Sequence, residues 1–581
     1  MEHADRLNGF NHKLFFRLCL LVASTLVFGG GLHAQTAFVD VTEQAGINHI
    51  FEVFEGTFGG GAVVFDYNND GWEDVFITGG IEDDQLYMNK GDGTFENVYD
   101  KSGLRTKEKY VTQGAISADV NRDGWRDLFV TTIKLKDSKD PIPRAANLLY
   151  INNGDGTFRD ATAEYGLDKH LTFSTGAMFG DVNQDGFPDI FVGNYFKMFD
   201  GKLHIMNDAI IVGSNQMAEG LLLINNKGKS FEDRYTSYGL DFKGFGFGGV
   251  LTDYDNDGDL DILVNHDFGY KSTPNQLLDN QYPKARLQEI GDSLDMDLPI
   301  NGMGVAVGDY NNDGYLDYYF TNIRANPFMV NQGPGKPFLN KNEELGIKIN
   351  MIREEGRPNL PISWGANFAD FDHDTDLELF VANGALNPEV FPLPNYYFDL
   401  VDGQYVNKAS QKGVGDRGLS RGSVVFDYDN DGDLDLLVVN QSPVNDGLPE
   451  ISPTLLFRND SAAGNWLKVE LKGVKADLNG IGSRVEVSMG NLTMIREIDG
   501  GSSHLSQNSV IAHFGLGAAT QVDTVKIRWL GGSEQVLLNQ RANQKLVIQE
   551  EPAKSLHFWI IAGGMAMALF FVLFLYFKRS A

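Results

Sequence analysis

The 581-residue chain contains a single cysteine, Cys19, inside an apolar stretch near the N-terminus. Everything after it lacks a thiol, so no disulfide can staple the rest of the molecule. Basic residues are also scarce: 48 Lys and Arg stand against 79 Asp and Glu, a formal net charge of −31. Gripping a phosphate backbone needs basic surface, which excludes nucleic acid as a partner. Also missing are H-E-x-x-H, the P-loop and G-x-S-x-G, the spacings of zinc hydrolysis, phosphate cradling and the serine elbow. "GFGFGG" at Gly244–Gly249 has dinucleotide-loop spacing, but no helical pattern follows it. Long apolar runs are confined to the two ends. Residues 1–34, with Lys13 and Arg17 before the apolar run, read as a signal peptide. Phe558–Phe577, 20 residues without a charge, read as a transmembrane helix, and Lys578 and Arg579 open a cytoplasmic tail, 578–581. The expectation is a secreted, single-pass membrane protein with its bulk extracytoplasmic, in the periplasm or at the cell surface.

What the chain has in excess is aspartate at alternate positions. "DYDNDGDLD" at Asp427–Asp435 crowds five like charges into nine residues, which repel unless a cation sits among them. Six more copies begin 53 to 72 residues apart. Position 1 is Asp66, Asp119, Asp181, Asp253, Asp309, Asp370 or Asp427, and position 5 is Asp70, Asp123, Asp185, Asp257, Asp313, Asp374 or Asp431. Position 3 is Asn68, Asn121, Asn183, Asp255, Asn311, Asp372 or Asp429, and position 9 is Asp74, Asp127, Asp189, Asp261, Asp317, Glu378 or Asp435. Position 7 varies freely: Trp72, Trp125, Phe187, Asp259, Tyr315, Asp376 and Asp433. A site used through its carbonyl tolerates any side chain, and an all-oxygen ligand set with glycine at position 6 suits calcium. Up to seven Ca2+ sites follow, the sixth expected weaker or empty because Thr375 replaces the glycine and Glu378 is longer. Apolar β-branched runs such as "DVFIT" and "DILVN" come next, where an EF-hand would place a helix, so these loops join strands.

Each repeat also has a glycine five residues before its first Asp (Gly61, Gly114, Gly176, Gly248, Gly304, Gly365 and Gly422) and third- and fourth-strand patterns such as "LYMNKGDG" and "TFENV". Four short strands per 55 to 60 residues is the period of a propeller blade. The last repeat lacks a fourth strand, whereas a spare copy, "FVDVTEQAGI", stands at Phe38–Ile47. That permutation closes a ring and leaves no open edge.

With their leading glycines, "FGGG", "TGAM" and "RGSV", these loops resemble FG-GAP/VCBS repeats, the units of the integrin α-chain propeller, over residues 38–460. Asn465–Glu550, with "NGIGSRVEV", "GGSSHLSQNS" and "VKIRWLGG", resembles an ASPIC/UnbV domain. The pairing is similar to the cartilage acidic protein family and its bacterial relatives. The resemblance implies calcium binding and an extracytoplasmic interaction role. The expected fold is therefore all-β: a seven-bladed FG-GAP-type propeller at 38–460, a small β domain at 465–550 and the helix at 558–577. Removing the small domain is expected to leave the propeller folded.

The function expected is a membrane-anchored, calcium-binding module for an extracellular protein or glycan, that is, for adhesion. The alternative is a catalytic propeller acting on an extracellular polysaccharide. His504 with Ser502, Ser503 and Ser506 reads as a hydrogen-bonded turn, since no third catalytic partner is evident. Insertions gather in the connections opposite the metal loops, so Tyr195, Phe196, Phe199, Tyr396 and Tyr397 are expected to form a ligand face there.

Overall fold

The computed structural model describes residues 38–551 except 54–57, 107, 135–143, 198–211, 214–215, 350–351, 355–356, 360, 386–392, 444–452 and 461–463. The segments 1–34, 558–577 and 578–581 and residue Phe199 lie outside the described residues. The expected secreted, single-pass placement is corrected here: among the described residues no helix is long and apolar enough to cross a membrane.

The repeat region forms seven four-stranded antiparallel sheets, at 62–97, 110–160, 173–233, 245–289, 305–340, 363–407 and 420–459. The seventh takes its fourth strand from the start of the chain: Phe38–Asp40 pairs with Leu455–Asn459, Phe38 opposite Asn459. Strands such as Ala62–Phe65 and Asp74–Ile77 are buried throughout, because a neighbouring sheet covers each face and an unbroken apolar run has apolar surface on both sides. Fourth strands are outermost, and in five of the seven sheets they bury only their first residue, as Phe95, Phe158 and Phe231 do. The core therefore lies between sheets. Val64, Ile77 and Tyr87 of the first sheet pack with Val424, Leu437 and Leu456 of the seventh, and Val250 and Leu263 of the fourth with Val305 and Tyr318 of the fifth. The arrangement is propeller-like.

Two further sheets build the C-terminal domain. One orders its strands 512–517, 465–472, 544–549; the other 492–497, 484–489, 521–528, 534–541. Val469 and Phe514 of the first meet Val485 and Val525 of the second in one core.

This domain is not an independent appendage. Its loop 500–508 enters the space enclosed by the first strands of the seven sheets. Phe179 N donates to Gly500 O (2.9 Å), Val305 N to Ser503 O (3.0 Å) and Val64 N to Gln507 O (3.2 Å). Ala62 N reaches Ser506 Oγ (3.2 Å), Ser117 N Gln507 Oε1 (2.6 Å), Ala366 N Ser503 Oγ (3.1 Å) and Val425 N Asn508 Oδ1 (2.9 Å). The loop thus serves as a central plug for six of the sheets. It also explains two of the recurring glycines. A Cβ on Gly61 would stand 1.7 Å from Leu505 O, and one on Gly304 2.4 Å from Ser503 O, so no other residue lets the plug approach.

Candidate metal centres

In every repeat the strand pair is joined by the acidic loop, and six of the seven loops share one internal hydrogen-bond pattern; in loop four Asp257 N turns from position 1 to Asp255 Oδ1 (3.2 Å). In the first, Asp66 Oδ1 accepts from Asp70 N (3.1 Å) and Oδ2 from Gly71 N (2.8 Å). Asp70 Oδ1 accepts from Trp72 N (2.9 Å) and Asp74 Oδ2 from Tyr67 N (3.1 Å). Position 4 is left-handed throughout, from Asn69 at φ 56° to Asn430 at φ 56°, a conformation that Asn tolerates. In the sixth loop Thr375 takes φ 86°, strained for a β-branched residue. Even so, Asp370 Oδ2 still accepts from Thr375 N (3.1 Å) and Glu378 Oε2 from Phe371 N (2.7 Å).

Loops four, six and seven each bring three carboxylate oxygens within 4.8 Å of one another: Asp253, Asp255 and Asp261; Asp370, Asp372 and Asp374; Asp427, Asp429 and Asp435. These acidic clusters could hold a metal. Their chemistry fits a hard cation. Buried oxygens Asp253 Oδ1, Asp259 Oδ1, Asp372 Oδ1 and Asp429 Oδ1 have no hydrogen-bond donor, an arrangement that costs free energy unless something positive supplies the missing partner. Burial, then neighbouring carboxylates, push Asp255 and Asp429 up to about 6 and Asp259 up to about 8. A divalent cation removes the repulsion that raises them. Asp, Asn and main-chain oxygens suit calcium better than a soft metal.

Position 7 does more than supply a carbonyl. The Trp72, Trp125 and Tyr315 rings lie against Gly91, Gly154 and Gly333 of the turn between third and fourth strands. A second device went unread although its signal recurs in six repeats. The third-strand Asn accepts nothing new from the loop, but its N–H meets the ninth-position carboxylate: Asn89 N to Asp74 Oδ1 (2.7 Å), Asn152 N to Asp127 Oδ1 (2.9 Å). Its side-chain amide then crosses to the preceding sheet's loop, Asn152 Nδ2 to Tyr67 O (2.7 Å) and Asn459 Nδ2 to Phe371 O (2.7 Å). Asn89 closes the ring by reaching Tyr428 O (2.7 Å). By register, Leu400 holds this place in the sixth sheet.

The aromatic ligand face is corrected. Tyr195, Phe196, Tyr396 and Tyr397 are all buried; Tyr195 packs on Phe58, Phe245 and Phe247 and donates to Asp267 Oδ2 (2.6 Å). Tyr397 packs instead on Phe371 of the sixth acidic loop (ring centroids 5.6 Å) and on Phe38 (5.9 Å), so these rings belong to the packing between sheets. The serines around His504 do not contact its ring either. His504 Nδ1 and Nε2 face Met303 O (2.8 Å) and Phe58 O (3.2 Å), Ser502 Oγ donates to Asp499 Oδ2, and Ser506 Oγ donates to His504 O (2.8 Å). Burial lowers the imidazole to about 4. The group is part of the plug.

Comparison with known proteins follows the same division. Residues 66–130 and 119–192 match the FG-GAP-like repeat, and residues 473–555 match ASPIC and UnbV. The chain thus carries FG-GAP-like repeats at 66–192 and a C-terminal segment that matches ASPIC and UnbV. More particularly, it is similar to cartilage acidic protein 1: 28% identical over 280 residues to that of Mus musculus (47% of this chain, 40% of that one) and 26% over 329 residues to that of Xenopus tropicalis (55% and 46%). The chain spans under half the length of these relatives. Integrin alpha-3 of Cricetulus griseus is 30% identical over 176 residues, 28% of this chain and 16% of that one. Among solved structures, an Agrocybe aegerita lectin aligns over 69% of this chain and 95% of its own, with TM-score 0.36 and 16% identity.

Proposed function

We propose that the seven sheets are the blades of a closed seven-bladed propeller, residues 38–460, whose loops bind calcium through positions 1, 3, 5, 7 and 9. The ASPIC/UnbV domain, 465–550, plugs it, and the whole serves as a protein- or glycan-binding module of the adhesion type. The observation that carries the calcium reading is the set of buried, donorless carboxylate oxygens in loops four, six and seven. When bound, the ion supplies charge neutralisation and cross-links each loop; the residues around it set the loop's shape through the shared hydrogen bonds. Thr375 makes the sixth site the weakest.

Because the C-terminal domain lies on the metal-loop side, the opposite side is the one open to partners. A cavity of about 180 Å3 there is lined by Arg144, Lys197, Tyr235 and Lys243, with Glu219 and Thr172. Titrating the metal-free chain with calcium should show uptake of several ions and a higher Tm, since a ligand bound only by the folded state stabilises it by mass action. Identical melting curves in calcium and in excess chelator would overturn the calcium reading. Capture of a protein or glycan by wild type, weakened in Arg144→Ala and Lys197→Ala, tests the binding face.

A further inference from the structure

The seven loops are not alike in charge. At the five ligand positions, loops one, two, three and five carry three carboxylates each, at positions 1, 5 and 9, whereas loops four, six and seven carry five, because positions 3 and 7 are acidic as well. One divalent ion would leave the first group at −1 and the second at −3. Proximity of like charges in a partly buried loop costs more as the surplus grows.

Ion pairs follow this division. Lys468 of the C-terminal domain sits 2.5 Å from Asp427 Oδ2 in loop seven, the two side chains 5% and 3% exposed, and also donates to Asn430 Oδ1 (3.0 Å). Arg484 of the same domain donates to Asp253 O in loop four (2.9 Å) and lies 4.0 Å from Asp253 Oδ2. It is shared with Glu497 (3.6 Å), which in turn accepts from Asp253 N (3.0 Å). Lys412, from the sixth sheet's own connection, reaches Asp372 Oδ2 in loop six (3.2 Å). Among the described residues no Lys or Arg stands within 4.0 Å of a ligand carboxylate in loops one, two, three or five. At loop two the same domain offers an amide instead, Asn479 Oδ1 accepting from Asp119 N (3.3 Å).

We propose that Arg484, Lys412 and Lys468 are built-in counter-charges, one for each loop that carries five carboxylates. Two of the three belong to the C-terminal domain, so they also select its seat. A ring of seven similar loops offers seven rotational positions, and only one sets Arg484 on loop four and Lys468 on loop seven together. For these two the paired aspartate is the first-position one, whose carboxylate also holds the loop's sixth-position N–H, as Asp427 Oδ2 does with Gly432 N (2.9 Å) and Asp253 Oδ2 with Gly258 N (3.2 Å); Lys412 pairs instead with position 3, Asp372. The counter-charge thus holds loop shape with or without metal. It deepens the calcium reading but does not depend on it, since the pairing acts most strongly in the metal-free chain.

The test is a charge cycle on the full chain, read by melting in excess chelator and in saturating calcium. Lys468→Met and Arg484→Met keep the aliphatic stem and remove the charge. Each should lower Tm by several degrees in chelator and by clearly less in calcium. Asp429→Asn and Asp255→Asn give loops seven and four the position-3 residue of the three-charge loops. Combined with the matching cation variant, each should recover most of the loss in chelator. No recovery in the double variants in chelator, or, where calcium raises the wild-type Tm, an equal loss in both conditions, would reduce these cations to packing residues and overturn the proposal. A wild type indifferent to calcium would sink the calcium reading alone, because the cycle in chelator stands without it.

Discussion

Asn152 shows how much one side chain carries in this molecule. It is buried, its N–H is held by Asp127, and its amide spans Tyr67 O of the preceding sheet and Arg126 O (3.2 Å) of its own. Asn152→Leu copies what the sixth sheet has at Leu400 and strands a buried carbonyl, so stability should fall by about 1–3 kcal/mol. Denaturant unfolding in calcium measures it, and an unchanged midpoint would mean that water replaces the amide. Asp84 gives a pH signature away from the metal loops. Its Oδ1 accepts from Gly79 N (2.8 Å) and Thr112 Oγ1 (2.6 Å), and burial pushes the carboxyl up from 3.8 to about 6. A raised carboxyl pKa means that the folded state holds its proton longer. The contribution is fully present below about pH 4 and lost as pH rises through 6. Asp84→Asn keeps both acceptor bonds without a charge. Its Tm should therefore exceed wild type above pH 7 by the equivalent of about 1–3 kcal/mol and match it near pH 4. A constant offset across that range would rule this out.

Between elements, the plug and the first strands depend on each other at glycine. Gly61→Ala places a methyl into Leu505 O, an overlap that backbone cannot absorb without moving, and should cost on the order of 3 kcal/mol. Amide exchange at 505–507 should rise in parallel; destabilisation with a fully protected plug would place the strain elsewhere. These contacts were not legible in the sequence. The acidic loops were, because all their candidate ligands fall within nine residues and repetition exposes which positions matter. Sheet order and ring closure were legible for the same reason, through the spare strand at Phe38. Glycine at 61 and its counterparts read only as strand openers, since the partner that demands them, Leu505, lies more than 440 residues away. The aromatics at Tyr195, Phe196, Tyr396 and Tyr397 misled because long connections look exposed in a sequence. These residues fall at the inner ends of strands, Asp189–Phe196 and Tyr396–Val401, where neighbouring sheets bury them.

For the whole molecule, two closures act together: the strand Phe38–Asp40 completes the seventh sheet, and the loop 500–508 fills the centre. Deleting residues 38–41 should bare the Leu455–Asn459 edge and promote association, since an unpaired edge templates further pairing; light scattering reads this, and a monomeric, fully stable product would place the closure elsewhere. The plug's contacts argue against the expectation that the repeats fold alone. Without 500–508, the N–H groups of Ala62, Val64, Ala115, Ser117, Phe179, Val305, Ala366 and Val425 lose the acceptors they now have. At about 0.5–1.5 kcal/mol net for each bond, the loss is on the order of 5 kcal/mol even where water enters. A chain ending at Asp460 also sheds Lys468 and Arg484, the cations at loops seven and four. Replacing 500–508 with a short Gly-Ser turn separates the two effects, because the C-terminal domain and its cations stay in place. The substituted chain should melt well below wild type in saturating calcium, and the truncated chain lower still, with the gap between them widening in chelator. If the truncated chain matches wild type in both conditions, the C-terminal domain is a passenger on a ring that stands by itself.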